Sequence, residues 1–198
     1  QGLAHYWGTS QWSASQIMEA YKICDKLNLI APIVEQTHYN LMTRDWVERE
    51  YRDIFARYKM GTTIWSPLES GILAGRYLNG IPEDSRYNIK HDGASTDIKP
   101  YLDNKKEWDE KLLKLKDIAE KKLNCTLAQL AIAWILVNPD VTSVILGASR
   151  VSQLEENYKA LEVSKKLDKD ILLEIEKILG NVPKGEIDYR DWKELPTR

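Results

Sequence analysis

Short apolar runs alternate along this chain with longer stretches in which apolar residues return every three or four positions. The first kind of segment reads as a buried strand and the second as an amphipathic helix, so the order is that of successive βα units with a parallel sheet. The predicted strands are Leu3 to Trp7, ended by Gly8-Thr9-Ser10, then Ile33 to Gln36 after Pro32, Gly61 to Trp65, and Ser143 to Leu146. The first helix is expected from about Ser15 to Leu27. Ser13 and Gln16 have the spacing of a capping box at its start, and Ile17, Ala20, Tyr21 and Cys24 form its buried face. Thr43 is placed to cap a second helix reaching Tyr58, with Trp46, Val47, Tyr51, Ile54 and Phe55 inward. Periodicity resumes from Lys105 to Leu123. Thr126 and Gln129 then open an apolar helix through Leu136 that Asn138-Pro139 stops, and two further helices span about Ser152 to Leu161 and Asp168 to Leu179.

Between Trp65 and Lys105 the rhythm breaks. The stretch from 66 to 104 carries Gly71, Gly75, Gly80 and Gly93 with several prolines and asparagines. A loop of that length inside an α/β unit is usually functional, and a ligand-covering loop with a mobile tip at His91 to Asp97 is expected. Four parallel strands are too few to close a barrel and would leave two unpaired edges, so either the missing half lies upstream or this piece is not a free-standing domain.

Composition narrows the class. Hydrophobic residues make up 43% and charged residues 29%, the balance of a globular domain. No apolar run is long enough to span a bilayer, and Gln1 to Trp7 lacks the basic and apolar regions of a signal peptide. A net charge of −2 with dispersed Lys and Arg argues against a nucleic-acid binder. Cys24 and Cys125 fit no metal spacing and read as reduced packing thiols of a cytosolic protein.

Candidate chemistry gathers at the strand ends. Ser10, Gln36, Ser66 and Ser149 follow the four predicted strands, on the face where parallel α/β folds bind ligands. Gly147-Ala148-Ser149-Arg150 sets a hydroxyl and a guanidinium at a helix N-terminus, an arrangement suited to phosphate or to an ordinary turn and cap. Trp65-Ser66-Pro67-Leu68 offers an aromatic plane and then a rigid turn, which suits either a flat ring beside a diphosphate or a core tryptophan at a strand stop. Arg76 and Arg86 have the chemistry to clamp phosphates and are equally readable as solvated arginines. His5, His38 and His91 make no metal constellation. His38, beside Tyr39, has the chemistry for proton transfer, but the pattern does not favour that role. Glu48-Arg49-Glu50 with Arg52-Asp53 reads as a solvated helix face.

Taken together, Tyr6 to Ser10, Pro32 to Gln36, Trp65 to Leu68, Gly71-Ile72, Ile81-Pro82 with Ser85-Arg86, Leu127 to Trp134, Ser143 to Ser149, Gln153-Leu154 and Glu156-Asn157 resemble the aldo-keto reductases. The likeness is to the branch that contains voltage-gated potassium channel β subunits. It implies an α/β fold, a (β/α)8 TIM barrel of which this chain supplies strands five to eight over residues 1–188, with 189–198 as a tail. It also implies NADP(H) across the C-terminal face of the strands. Ser10 and Gln36 would hold the nicotinamide carboxamide and Trp65 would stack near the ring. Ser66, Pro67, Leu68, Glu69 and Ser70 would wrap the diphosphate, with Arg76 on a phosphate and Arg86 near the adenosine. Gly147 and Ser149 with Gln153 would take the 2′-phosphate, and Glu156 and Asn157 the adenine.

Two positions depart from that branch. Glu69 stands where a small residue usually follows Trp-Ser-Pro-Leu, so backbone contact is the safer expectation there. Asp84 replaces a tyrosine two residues before the loop arginine. The family's catalytic Asp, Tyr and Lys, with a His or Asn beside them, come from the first four βα units, so no catalytic residue is expected in this chain. The resemblance implies a cytoplasmic NADP(H)-dependent reductase of small carbonyl substrates. Its alternatives are a nucleotide-sensing channel subunit, a homo-tetramer at the plasma membrane beside a potassium channel α subunit, or an inactive fragment.

Overall fold

The computed structural model describes residues 2–83, 85 and 98–185. Arg86, Asp84, the 91–97 tip and the 189–198 tail therefore lie outside the described residues. Four strands, β1 (Gly8–Ser10), β2 (Val34–His38), β3 (Gly61–Trp65) and β4 (Ser143–Val144), form one parallel sheet in sequence order. Helices α1 (Ala14–Leu27), α2 (Arg52–Tyr58), α3 (Lys99–Asp103), α4 (Lys105–Asp117), α5 (Leu127–Leu136), α6 (Val151–Tyr158), α7 (Ala160–Ser164) and α8 (Lys169–Leu179) connect and follow them. This is the arrangement expected of four consecutive βα units.

Alternation along the strands sorts the two faces of the sheet. Thr9, Glu35, Thr37, Thr62 and Ile64 are buried, whereas Ser10 and Gln36 between them are exposed. The buried side meets a core drawn from Ile17, Val47, Tyr51, Ile54, Leu115, Leu130, Ile132, Ile135, Val163 and Ile175. Helix α5 is apolar nearly all round, with eight of its ten residues buried, which places it inside the helical layer rather than at its surface. Both predicted capping boxes form. The Ser13 hydroxyl accepts from Gln16 N while Gln16 Oε1 accepts from Ser13 N, and Thr126 and Gln129 repeat the exchange.

The first strand is not the apolar run. Leu3 to Trp7 is exposed, with Leu3 88% accessible, and pairing starts at Gly8. The cause is local: a Cβ at Gly8 would lie 2.5 Å from both the Val34 side chain and the Val34 carbonyl oxygen. Only glycine allows so close an approach of β1 to β2. Strand β2 likewise extends two residues beyond Gln36 to His38, and β4 is shorter than the apolar run that predicted it.

The second predicted helix also differs. Asn40, not Thr43, organises its entry: Asn40 Oδ1 accepts from the amides of Met42 and Thr43. Residues Trp46–Glu50 form a π turn before α2, with Tyr51 N donating to Trp46 O. One extra residue per turn barely disturbs apolar spacing over so short a stretch, so periodicity could not reveal it. The helix expected to end at Leu123 closes in a second π turn, Ile118–Leu123, and the one expected through Leu161 divides into α6 and α7. The long 66–104 loop contains a 3₁₀ segment, Glu69–Ala74, and α3.

Glu48 is not on a solvated face. It accepts from the Tyr39 hydroxyl at 2.7 Å and from Arg44 Nε and Nη2 at 2.9 and 2.8 Å. The buried Arg44 also donates to Glu176 Oε2 at 2.6 Å and Asn181 Oδ1 at 3.2 Å, and its guanidinium lies 5.0 Å from the Trp134 ring centre. Arg49, Arg52 and Asp53 are exposed, as expected.

Candidate functional site

The register of the sheet puts Ser10 opposite Gln36, Gln36 opposite Thr63, and Thr63 opposite Ser143. Strand alternation sends all four side chains to the face away from the helices, so a polar row crosses the whole sheet. Ser10 belongs to its strand rather than to the turn after it, a correction to the expected position, while Gln36 lies within β2 as its strand prediction implied. Thr63 and Ser143 carry no signal in the sequence, because a hydroxyl inside a strand reads the same on either face of the sheet. The row combines hydroxyls with one primary amide that both donates and accepts, a donor set that suits a carboxamide.

One step further along, His38 pairs with Trp65. Their rings stack with centres 4.2 Å apart and planes 16° from parallel. Gln11, in the left-handed region at φ 55°, folds over this end of the sheet. Its Oε1 accepts from His38 N at 2.9 Å, with Trp65 Nε1 3.4 Å away.

The chain leaves Trp65 through a run of unusual backbone. Ser66, Glu69 and Ser70 have φ of 51°, 43° and 53°, and Gly71 has φ 102°. Non-glycine residues in this region are uncommon and persist only where surrounding contacts determine them. Those contacts are present: Asn40 Nδ2 donates to Ser66 O at 3.0 Å, Tyr77 Oη donates to Ser70 O at 2.8 Å, and Gly71 N donates to Leu68 O at 2.9 Å. Pro67 is buried and Leu68 packs on the core, so these two residues can offer a ligand only their backbone. Arg76 is brought back against it, with Cδ 3.5 Å from where a Gly71 Cβ would stand.

The Glu69 side chain turns back toward the sheet. Its Oε2 lies 2.6 Å from His38 Nε2 and 2.5 Å from Asn40 Nδ2. Asn40 is fully buried and its amide orientation is fixed, because Oδ1 already accepts two backbone N–H groups. Sequence reasoning found no role for His38 or Asn40, since their partner stands some thirty positions away in the chain.

Beyond β4, Ser149 N and Oγ both donate to Gln153 Oε1, at 3.0 and 3.1 Å. That fixes the Gln153 carbonyl inward and leaves its amide nitrogen as the outward group. Arg150 is the N-cap of α6 and makes no side-chain cap bond, so it does not occupy the first-turn amides. Gly147 is exposed, with nothing near a Cβ, so no steric demand selects glycine there. Asn157 is buried, whereas Glu156 is exposed and engages the fold through its carbonyl, which accepts from Gln129 Nε2 at 2.8 Å.

On the opposite side of the sheet, burial raises the pKa of Glu35, while the Thr9 hydroxyl and the amides of Gln11 and Trp12 pull it down less strongly. The folded chain thus favours the neutral carboxyl. Its contribution to stability is greatest where it is protonated and declines as pH rises from the ordinary carboxylate range toward the raised value. Glu35→Gln should therefore gain stability relative to the parent as pH rises above the ordinary carboxylate range, read in paired urea titrations. A difference independent of pH would refute the assignment.

Both cysteines are free thiols. Among the described residues there is no group of three or more His, Cys, Asp or Glu that could hold a metal, and no helix is long and apolar enough to cross a membrane.

Comparison with known proteins accords with this arrangement. The sequence description of the Aldo/keto reductase family matches residues 1–179. A protein of Oryza sativa subsp. japonica named "Probable voltage-gated potassium channel subunit beta" is 45% identical over 193 residues, covering 96% of this chain and 56% of its own length. An Arabidopsis thaliana protein of the same name is 45% identical over 194 residues, covering 96% of this chain and 57% of its own. The chain thus spans a little over half the length of these relatives, and its four-stranded parallel sheet is consistent with part of a (β/α)8 barrel. On the match across residues 1–179 and these two relatives, the chain belongs to the aldo/keto reductase family.

Proposed function

We propose that the exposed face of this sheet binds NADP(H), and that the full-length protein reduces small aldehydes or ketones in the cytoplasm. The observation that carries the reading is the polar row Ser10, Gln36, Thr63 and Ser143 lying beside Trp65 on one face. Ser10 and Gln36 suit the carboxamide and Trp65 the nicotinamide plane. The backbone of Ser66 to Ser70 suits the diphosphate, with Arg76 beside it. NADPH supplies the hydride; this chain's residues orient the nucleotide and shield it, the usual division of labour in cofactor enzymes. The half-barrel itself, residues 1–188, is proposed as the nucleotide-binding part.

At the β4 end, the Gln153 amide N–H2 suits a 2′-phosphate, with Ser149 orienting that side chain and the first turn of α6 adding its dipole. Gln153→Ala in the full-length protein is expected to weaken NADPH binding by about tenfold and NADH binding by less than about twofold. Fluorescence titration with both nucleotides checks this. Equal losses for the two would remove the 2′-phosphate assignment.

A second reading is favoured by the names of the two plant relatives. In it the same bound nucleotide serves a potassium channel β subunit, which would sit at the plasma membrane as a homo-oligomer. Co-purification with the cytoplasmic part of a channel α subunit separates the readings. Turnover of carbonyl substrate without channel association favours the first.

A further inference from the structure

We infer that His38 and Asn40 are positioning residues for the diphosphate-binding loop, acting by clamping the Glu69 carboxylate away from the ligand. The inference rests on the nucleotide reading above and adds to it two residues and the reason a carboxylate is tolerated at this place.

Glu69 is a problem for that reading as long as its side chain is considered alone. It stands in the middle of the loop assigned to a doubly charged diphosphate, and like charges at such range repel. The structure shows how the charge is managed. Glu69, at φ 43°, begins three consecutive left-handed residues, and this twist carries its side chain back over the end of β2. There its Oε2 meets His38 Nε2 and Asn40 Nδ2, with the Glu69 and His38 side chains each only 17% exposed.

The parts of this clamp hold one another. Asn40 Nδ2 has two protons, which go to Ser66 O and Glu69 Oε2, the two ends of the turn. With both Asn40 Nδ2 protons used, its 3.1 Å approach to His38 Nε2 is a packing contact, and the 2.6 Å contact is the Nε2–H donating to the Glu69 carboxylate, which as an ionised group only accepts. Stacking on Trp65 fixes the plane of the imidazole, and Gln11 fixes its backbone. Held by these two donors at the end of β2, the Glu69 carboxylate is turned off the backbone of Ser66 to Ser70, which is left to face an anion. Asn40, Trp65 and Gln11 also contact His38, and none of these three carries a charge.

The test is a double-mutant cycle in the full-length protein, read as the NADPH dissociation constant. His38→Ala removes one of the two donors that hold the Glu69 carboxylate and is expected to raise the constant about tenfold. In an E69A background the same His38→Ala change is expected to matter by less than about twofold, because there is no carboxylate left to hold. H38Q, which keeps a donor toward Glu69, should fall between the two, at about threefold. A purely structural role would move melting temperature and affinity alike in both backgrounds. If H38A does not fold, the cycle runs with H38Q. Equal losses with and without Glu69 overturn the clamp while leaving nucleotide binding intact. A parent protein that does not bind NADPH overturns the nucleotide reading and the clamp with it.

Discussion

Arg44→Ala is expected to lower folding stability by about 3 kcal/mol, the largest loss anticipated from a single surface-to-core contact in this chain. Arg44 is 5% exposed and joins segments far apart in sequence: Glu48 on the π turn, Glu176 on α8 and Asn181 just after it. Asn181 in turn donates to Leu41 O at 2.8 Å, so the guanidinium and this amide together fasten the end of α8 to the segment after β2. Alanine removes the guanidinium from Trp134 and leaves Glu48, already committed to the Tyr39 hydroxyl, without its counter-charge. Breaking one side of a largely buried ion pair costs more than the pair contributes, because the remaining charge stays desolvated. Arg44→Lys should recover only part of the loss, since a point charge cannot serve both carboxylates while lying over the indole face. Chemical denaturation checks both variants. A loss below about 1 kcal/mol would mean that the network is ordinary surface pairing.

Gly71→Ala is the second large expectation, and it reports on binding rather than on the core. At φ 102° Gly71 adopts backbone that L residues rarely enter, at a cost of about 1–3 kcal/mol. A Cβ there would meet Arg76 and the Tyr77 hydroxyl only at ordinary contact distance, so strain and not collision is the issue. The loop can relieve that strain by moving, which would release the Tyr77 bond to Ser70 O and shift Arg76. NADPH affinity is accordingly expected to fall by about tenfold or more, with the melting temperature lowered by about 2–4 °C per kcal/mol of strain left in the folded loop. Unchanged affinity would separate this turn from the nucleotide site.

The fold class and the order of the elements were readable from the chain, because buried strands and amphipathic helices carry different periods. Capping gave even finer detail: both boxes, at Ser13 and Thr126, hold to the residue. Legibility failed where a close backbone approach, not apolarity, decides pairing. Leu3 to Trp7 has the composition of a strand, yet Gly8 is what lets β1 lie against Val34. It failed also at Glu48, since an exposed face and a buried ion pair have the same local pattern until Arg44 and Tyr39 are placed.

At the site, Ser10, Gln36, Trp65 and Ser66 to Ser70 are brought to one end of the sheet, and Ser149 with Gln153 follow the adjacent strand. Thr63 and Ser143 were hidden inside strands, and the Glu69 departure looked unfavourable because its partners, His38 and Asn40, come from another βα unit. A substitution that conflicts with a ligand in one dimension is reconciled by two residues brought beside it in three.

The central claim, that this half of the barrel is a nucleotide-binding surface, is tested most directly by isothermal calorimetry of NADPH into the full-length protein, repeated with Trp65→Ala. Saturable one-to-one binding, at least about tenfold weaker once the indole is removed, is the predicted result. Absence of binding by the parent protein, or binding indifferent to Trp65, would contradict it.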